Sequence, residues 1–525
     1  MNANKDVAEE AFKDVVGHIY SEYGVYEPDT IWFTVKVKSK IEVGEIVCIE
    51  HPTKKGVPVF YQVYRVPLRR KVKSYEEDLL RLGKIIVDKT RNYPRAIAKQ
   101  IGFYKDNKIG SEDNKRVLLE HIEPQAPVYR PADPVIELLL KPEENHITIG
   151  EIYPSFKHKM SLEIPKLIRQ GLLVVGGVGT GKTTTMVSVV YNITKALLDE
   201  KKQPHVLVVD KDGEYCSDKL VELIGDDMYL HVHIDEITLG VQTFRDEYDF
   251  RRNLLGVLTI SPNSKEGRAL ATAISQAARR GVSFRLDPDY VEEKLIPLIP
   301  KDYRESILKS IDAWKELMKS QEETEGAFTV EELVIELKKR TFVHVDLSKT
   351  RDWTRSFEIL TQLLKYVYDE AIYDENFGAI IVLDEAHVFS PERGGIELAD
   401  KSHVDALRDV IKLIATTGPR NGVTPFFATQ RPALIDKTIT TQLGQNIIAH
   451  RVEDVDLARL IEIMGDIAKE VTLLPRGWAL IKSSASKINQ PFIVKITPSD
   501  YPKSVGKTAY YRFKEKPSYE LMSIK

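Results

Sequence analysis

From Ile31 to about Arg130, apolar and polar residues alternate in short runs. IWFTVKVKSK and VPVFYQVYRVPL have the period of two expected of half-buried strands, EVGEIVCIEH follows a Gly turn, and Gly and Pro divide the runs. This texture predicts a small antiparallel sheet or barrel. SYEEDLLRLGKIIVD has helix-like spacing, and the Pro-rich stretch from Pro124 to Pro134 reads as a linker. From about Pro134 strands alternate with helices, the signature of a parallel sheet. Its strand candidates are Leu172–Val175, Val206–Asp210, Phe342–Asp346, Ala379–Asp384, Thr424–Thr429 and Asn446–His450. Between roughly Arg245 and Lys339 lies a mostly helical stretch that includes DYRESILKSIDAWKELMKS and TVEELVIELKKR. It is too long for an ordinary crossover and reads as an insertion. The expected division is residues 1–130 for the barrel with its leading segment and linker, 131–502 for the α/β unit with an insertion at about 245–339, and 503–525 for a tail without periodicity.

Composition narrows the classes. A chain of 525 residues buries a large core and favours more than one structural unit. Its net charge of −3, with 29% charged residues, leaves only local patches for contact with nucleic acid. Cys48 and Cys216 share no metal-ligand spacing, and the twelve histidines form no Cys/His cluster. These features argue against a disulfide framework or a structural zinc and fit a reducing compartment. No apolar run approaches a membrane span, and the N-terminus MNANKDVAEEAFKD is charged where a signal peptide is apolar. The expected location is cytoplasmic, peripheral at the membrane if the partner is there.

The run Leu172 to Val175 leads into Gly176-Gly177-Val178-Gly179-Thr180-Gly181-Lys182-Thr183, followed by Thr184, which fits G-x-x-x-x-G-K-[ST] at every fixed position. Glycines let the backbone N–H groups turn inward around the β- and γ-phosphates, and the following helix adds the positive end of its dipole. Lys182 supplies a cation to the same phosphates, and the Thr183 hydroxyl suits Mg²⁺. The nucleotide expected is ATP.

Hydrolysis needs an acid on a neighbouring strand. Ala379-Ile-Ile-Val-Leu-Asp384-Glu385 offers one: Asp384 orients Mg²⁺ through its water shell, and Glu385 polarises the attacking water. A strand-end acidic pair also serves as a helix cap; the P-loop tips the reading toward catalysis. A further strand ends in Asp210-Lys-Asp212-Gly213-Glu214-Tyr215. Asp210 and Glu214 are candidates for the same crevice, and an ordinary strand-to-turn junction accounts for them equally well. Phe426-Phe427-Ala428-Thr429-Gln430-Arg431-Pro432 places Gln430 at a strand end, where its amide can sense the γ-phosphate or its water.

The P-loop, the run Asp210 to Tyr215, DEAHVFSP (Asp384–Pro391) and ATQRP (Ala428–Pro432) together resemble the archaeal HerA ATPases of the HerA/FtsK superfamily. The strands around Gly44-Glu45-Ile46-Val47 are similar to the barrel that precedes the motor in that family, and the likeness extends from about Ile31 to Lys495. The resemblance implies an α/β fold, with a RecA-like P-loop ATPase core, a parallel sheet and a helical insertion behind a small N-terminal β-barrel. It also implies a homo-hexameric ring that hydrolyses ATP to move along double-stranded DNA, with a NurA-like nuclease partner in end resection. Arg169, in Ile168-Arg169-Gln170-Gly171, matches the arginine that reaches nucleotide held by a neighbouring subunit. Gly418-Pro419-Arg420-Asn421-Gly422 corresponds to a GRKxG-like finger with Arg420 displaced by one position. A surface salt bridge is the ordinary alternative for either arginine.

GGVGTGKTTT and the lengthened stretch containing PERGGIELADKSHVD also suit relatives that move DNA across membranes, the crenarchaeal DNA-import ATPases and conjugative motors. A repair translocase and a motor docked on a membrane DNA-import channel therefore both remain open, as does an assembly ATPase that moves no DNA itself. A small-molecule kinase is disfavoured because no substrate lid is recognisable. Candidate DNA contacts are Arg69-Arg70-Lys71-Val72-Lys73, and Arg279-Arg280 with Arg285, since duplex binding by a motor needs phosphate contacts without base readout.

Overall fold

The computed structural model describes residues 7, 9–19, 30–36, 39–66, 95–105, 108–110, 122, 125–215, 217–239, 242–244, 247–258, 260–279, 284–321, 328–392 and 398–502. The N-terminal strands are β1 (Asp14–Ile19), β2 (Thr30–Val35), β3 (Ile46–Glu50), β4 (Pro58–Arg65), β5 (Arg95–Lys105), β6 (Lys108–Gly110) and β7 (Pro127–Arg130). They lie in the order β2-β1-β7-β3-β4-β5-β6, and a further pairing of β2 with β5 closes six of them into a barrel. Alternation places Ile31, Phe33 and Val35 of β2 inside, against Val47, Ile49, Val59, Tyr61 and Val63.

The expected Pro124–Pro134 linker is not a linker. Pro127 opens β7, where a missing N–H is tolerated, and Tyr129 pairs with Val15 and Cys48. Pro134 sits in the first turn of helix Asp133–Leu140, again a position without need of an N–H donor. SYEEDLLRLGKIIVD and the basic run Arg69 to Lys73 lie outside the described residues.

The second unit begins with β8 (His146–Ile152), β9 (Lys159–Glu163), β10 (Leu172–Val175), β11 (Val206–Asp210) and β12 (Tyr229–His233). Next come β13 (Ile237–Thr238), β14 (Gln242–Phe244), β15 (Phe284–Leu286) and β16 (Phe328–Thr329). It ends with β17 (Phe342–Asp346), β18 (Ala379–Leu383), β19 (Val423–Thr429), β20 (Asn446–Ala449), β21 (Trp478–Ser483) and β22 (Phe492–Ile496). Eleven of these strands form one sheet in the order β12-β17-β11-β18-β19-β10-β20-β21-β22-β8-β9. From β12 to β20 the pairing is parallel; from β20 to β9 it is antiparallel.

Every residue of β10, β11, β17, β18, β19 and β20 is buried, which explains their continuous apolar runs. Leu173 and Val175 face one layer of the core; Leu172 and Val174 face the other. The expectation of a parallel sheet thus holds from β12 to β20, where β12 is an unexpected strand, while the flank β21-β22-β8-β9 is antiparallel. The helices Glu247–Val257, Lys265–Ala278 and Lys301–Gln321 carry a core of their own, with Phe250, Leu254, Leu270, Ile274, Leu295 and Ile307. Helix Val330–Lys339, expected in the insertion, instead packs Val330, Leu333, Val334 and Leu337 into the main core. The insertion therefore ends before it.

Candidate functional site

In a parallel sheet the carboxyl ends of all strands share one edge, so the loops after β10, β11, β18 and β19 converge. After β10 the chain turns out of the sheet: Gly176 N–H donates to the Thr429 carbonyl at 3.2 Å and Gly177 N–H to the Arg451 carbonyl at 2.8 Å. Gly179 and Gly181 have φ of +69° and +116°, open to glycine at little cost, and Gly181 precedes helix Lys182–Asp199. A side chain at Gly176 would place its Cβ 2.7 Å from the Cβ of His450 and 2.7 Å from the Thr180 hydroxyl. His450 props the loop from beneath. Its Nδ1 donates to the Trp478 carbonyl at 2.9 Å, and its Nε2 accepts from the Thr185 hydroxyl at 2.8 Å. Burial, with Lys182 nearby, pushes His450 down to about 4 against the Trp478 carbonyl, so the prop is uncharged.

Lys182 reaches across to the end of β18. Its Nζ donates to Asp384 Oδ1 at 3.1 Å and to Glu385 Oε1, and all three side chains are buried. Glu385 adopts φ +49° and ψ +48°, a left-handed conformation uncommon for a residue with a side chain, as it opens the short helix Ala386–Phe389. Its other oxygen accepts the Gln430 N–H at 3.0 Å and lies 3.2 Å from His387 Nδ1, which is also 3.1 Å from the Thr429 hydroxyl. These contacts split the two acids. Burial raises both; for Glu385 the contacts with His387, Lys182 and Gln430 outweigh it and bring the carboxyl to about 2. Asp384 stays at about 6, because burial together with Glu385 and Asp210 outweighs Lys182. Burial also lowers Lys182, yet the two acids reverse this and its ammonium is held above the ordinary range.

The loop after β11 completes the arrangement. Asp210 is fully buried and its oxygens accept the N–H groups of Asp212 at 3.1 Å, Gly213 at 2.8 Å and Tyr215 at 2.8 Å, plus His344 Nε2 at 3.0 Å. Asp210 thus shapes its own loop. Glu214, beyond it, accepts the Thr183 hydroxyl at 3.2 Å, and the Tyr215 hydroxyl donates to Asp384 Oδ1 at 3.2 Å. Asp212, Asp384 and Glu385 place one oxygen each within 4.8 Å of one another. Carboxylates and a hydroxyl form the hard donor set that Mg²⁺ prefers, so the residues present fit that ion.

Of the sequence candidates, Lys182, Thr183, Asp384, Glu385, Glu214 and the backbone of Gln430 meet at this edge. Arg169 and Arg420 do not. Arg169 ends helix Ile164–Gln170 before β10, and Arg420 lies in the turn before β19, so both occupy the opposite edge of the sheet. There they line one cleft of about 560 Å³ with Gln170, Thr416, Gln442 and Gln445. The seven residues of β19, a run of ~23 Å, lie between Arg420 and Gln430. Arg279, after helix Lys265–Ala278, and Arg285 on β15 are exposed on the insertion; Arg280 lies outside the described residues.

Tyr215, His344, His387 and His450 were not singled out by motif spacing. A signal existed for two of them: His344 and His450 interrupt or end strands that are otherwise apolar. Buried polar residues in such runs need partners, and both have them.

The fold and site are those of a P-loop ATPase built on a parallel sheet. Residues 147–367 match the family model described as "Helicase HerA, central domain". A probable helicase of Methanocaldococcus jannaschii is 21% identical over 384 residues, covering 67% of this chain and 71% of that protein. Among solved structures, a truncated form of the bacterial conjugative coupling protein TrwB is similar with a TM-score of 0.39 and 12% identity, covering 70% of this chain and 92% of that one. VirB4 of Thermoanaerobacter pseudethanolicus is similar with a TM-score of 0.41 and 11% identity, covering 68% of this chain and 97% of that one. Residues 147–367 are thus similar to a HerA-type helicase domain, and the chain is an ATP-hydrolysing enzyme. Among the described residues, no helix is long and apolar enough to cross a membrane.

Proposed function

We infer that the protein is a hexameric motor that uses ATP to translocate along or unwind double-stranded DNA, in DNA end processing with a nuclease partner. The observation that carries the motor reading is the split of the site across the sheet. Lys182, Asp384 and Glu385 gather at one edge, while Arg169 and Arg420 share a cleft at the other. Neither arginine can reach its own P-loop, whereas a neighbouring subunit packed edge to edge presents that cleft to it. A guanidinium supplied this way neutralises the charge spread over the γ-phosphoryl oxygens and makes firing depend on assembly.

In this reading the P-loop from Gly176 to Thr184 holds the phosphates, Glu385 polarises the attacking water and Gln430 senses the γ-phosphate. Thr183 and Asp384 would hold Mg²⁺, which when bound would supply charge neutralisation on the phosphates. The location is cytoplasmic.

A second reading is an ATPase that powers DNA import or conjugative transfer at the membrane. It is favoured by the long stretch between Glu385 and Arg420, with PERGGIELADKSHVD. Affinity capture of the endogenous protein separates the two. A soluble nuclease in the captured complex supports end processing; co-fractionation with small integral membrane proteins supports transfer. A particle mass that stays monomeric with ATP analogue and duplex DNA would remove the ring from both.

A further inference from the structure

Strand β17 reads FVHVD, and the polar His344 sits at its buried centre, opposite Val208 of β11 and His231 of β12. A β-branched residue would pack there without the penalty of burying an imidazole. Both ring nitrogens are instead engaged. Nε2–H donates to Asp210 Oδ2 at 3.0 Å, and Nδ1 accepts the hydroxyl of Tyr229 at 2.9 Å. Tyr229 is fixed in turn by stacking on Phe342, with ring centres 5.4 Å apart and an angle of 16°.

Asp210 is a carboxylate with no exposed surface, and it holds the loop that follows it through three N–H groups, those of Asp212, Gly213 and Tyr215. The orientation of that carboxylate decides where the loop goes. The loop delivers two groups to the nucleotide edge, the Glu214 carboxylate to Thr183 and the Tyr215 hydroxyl to Asp384. Hydrogen bonds, joined through the covalent frame of Tyr215, therefore run from β12, at the sheet edge, through β17 and β11 to the acid at the end of β18.

We propose that His344 is a positioning residue for ATP hydrolysis: by orienting Asp210 it sets the loop 211–215, and through Tyr215 and Glu214 it places Asp384 and Thr183. This rests on the assignment of Asp384 and Glu385 to hydrolysis. A positioning role predicts a loss in turnover with nucleotide affinity retained, because none of these side chains supports the phosphate-binding backbone of Gly176 to Gly181.

The test uses the full chain with His344→Leu, His344→Gln and Tyr215→Phe, each measured for kcat and KM in ATP hydrolysis, affinity for a fluorescent ADP analogue, and Tm. His344→Leu removes the donor to Asp210 and should lower kcat by roughly 10- to 100-fold, the range typical when a supporting hydrogen bond is lost. His344→Gln, whose amide nitrogen reaches the Nε2 position, should recover most of that loss. Tyr215→Phe, short of one oxygen, should lower kcat without moving ADP affinity. A wild-type kcat in His344→Leu overturns the proposal, as does equal loss in the Leu and Gln variants in step with Tm. Should His344→Leu fail to fold, an unchanged kcat in Tyr215→Phe overturns it instead. Glu385→Gln run in the same assay reports on the underlying assignment alone: if that variant hydrolyses normally, the hydrolytic site is misplaced whatever His344 does.

Discussion

Glu385→Gln keeps the shape of the side chain and removes its charge, so it separates the electrostatic part of the site from its packing. In the folded protein the carboxyl lies at about 2, against an ordinary 4.5, because contacts with His387, Lys182 and Gln430 outweigh burial. Linkage converts that depression to about 3 kcal/mol of stability. A depressed acid contributes this above pH 4.5 and loses it as pH falls toward 2. The figure is an upper bound, since Asp384, raised in part by Glu385, ionises more readily once that neighbour is neutral. The variant should therefore melt below wild type at pH 7, and the gap should narrow as pH falls below 4.5. Following Tm of the nucleotide-free protein from pH 7 down to about 2.5 measures this. Phosphate release should fall at least ~100-fold while ADP affinity is retained, since general-base catalysis contributes factors of that order. A Tm gap independent of pH would refute the electrostatic argument. Undiminished turnover would refute the role of Glu385.

Lys182→Ala should abolish ATP turnover in a phosphate-release assay, because it removes the cation that pairs with the two acids and, in the proposed reading, reaches the phosphates. Gly181→Ala forces a side chain onto φ +116° at a strain of roughly 1–2 kcal/mol, and should weaken ADP affinity in a fluorescence titration. Arg169→Ala should bind nucleotide normally and hydrolyse it poorly. Mixing it with Lys182→Ala subunits should restore part of the activity, because some interfaces then join an intact P-loop to an intact arginine; no recovery on mixing would place Arg169 outside the shared site.

Much of the nucleotide edge was legible in the chain because its parts lie in contiguous runs. Leu172 to Val175 and Ala379 to Leu383 are buried on both faces, so their apolar continuity announced both the strands and the loops after them. The flank β8, β9, β21 and β22 was not, since strands such as TrpAlaLeuIleLysSer in β21 carry no flanking motif and mix half-buried and buried positions. Prolines misled at Pro127 and Pro134, where they open a strand and a helix where a linker was expected. Helix Val330–Lys339 looked like its neighbours in the insertion; only packing assigns Leu333 and Leu337 to the main core. The partners of Asp210 were invisible for a related reason, as His344 lies 134 positions away and meets it only through strand pairing.

The central claim is that ATP hydrolysis at Lys182 and Glu385 drives movement on duplex DNA. It is tested most directly by the ATPase rate of the purified protein with and without double-stranded DNA across a salt titration. The account predicts a rate stimulated by duplex and progressively lost as salt rises, since the contacts are to phosphates. A hexamer whose ATPase ignores DNA at every salt concentration would contradict it.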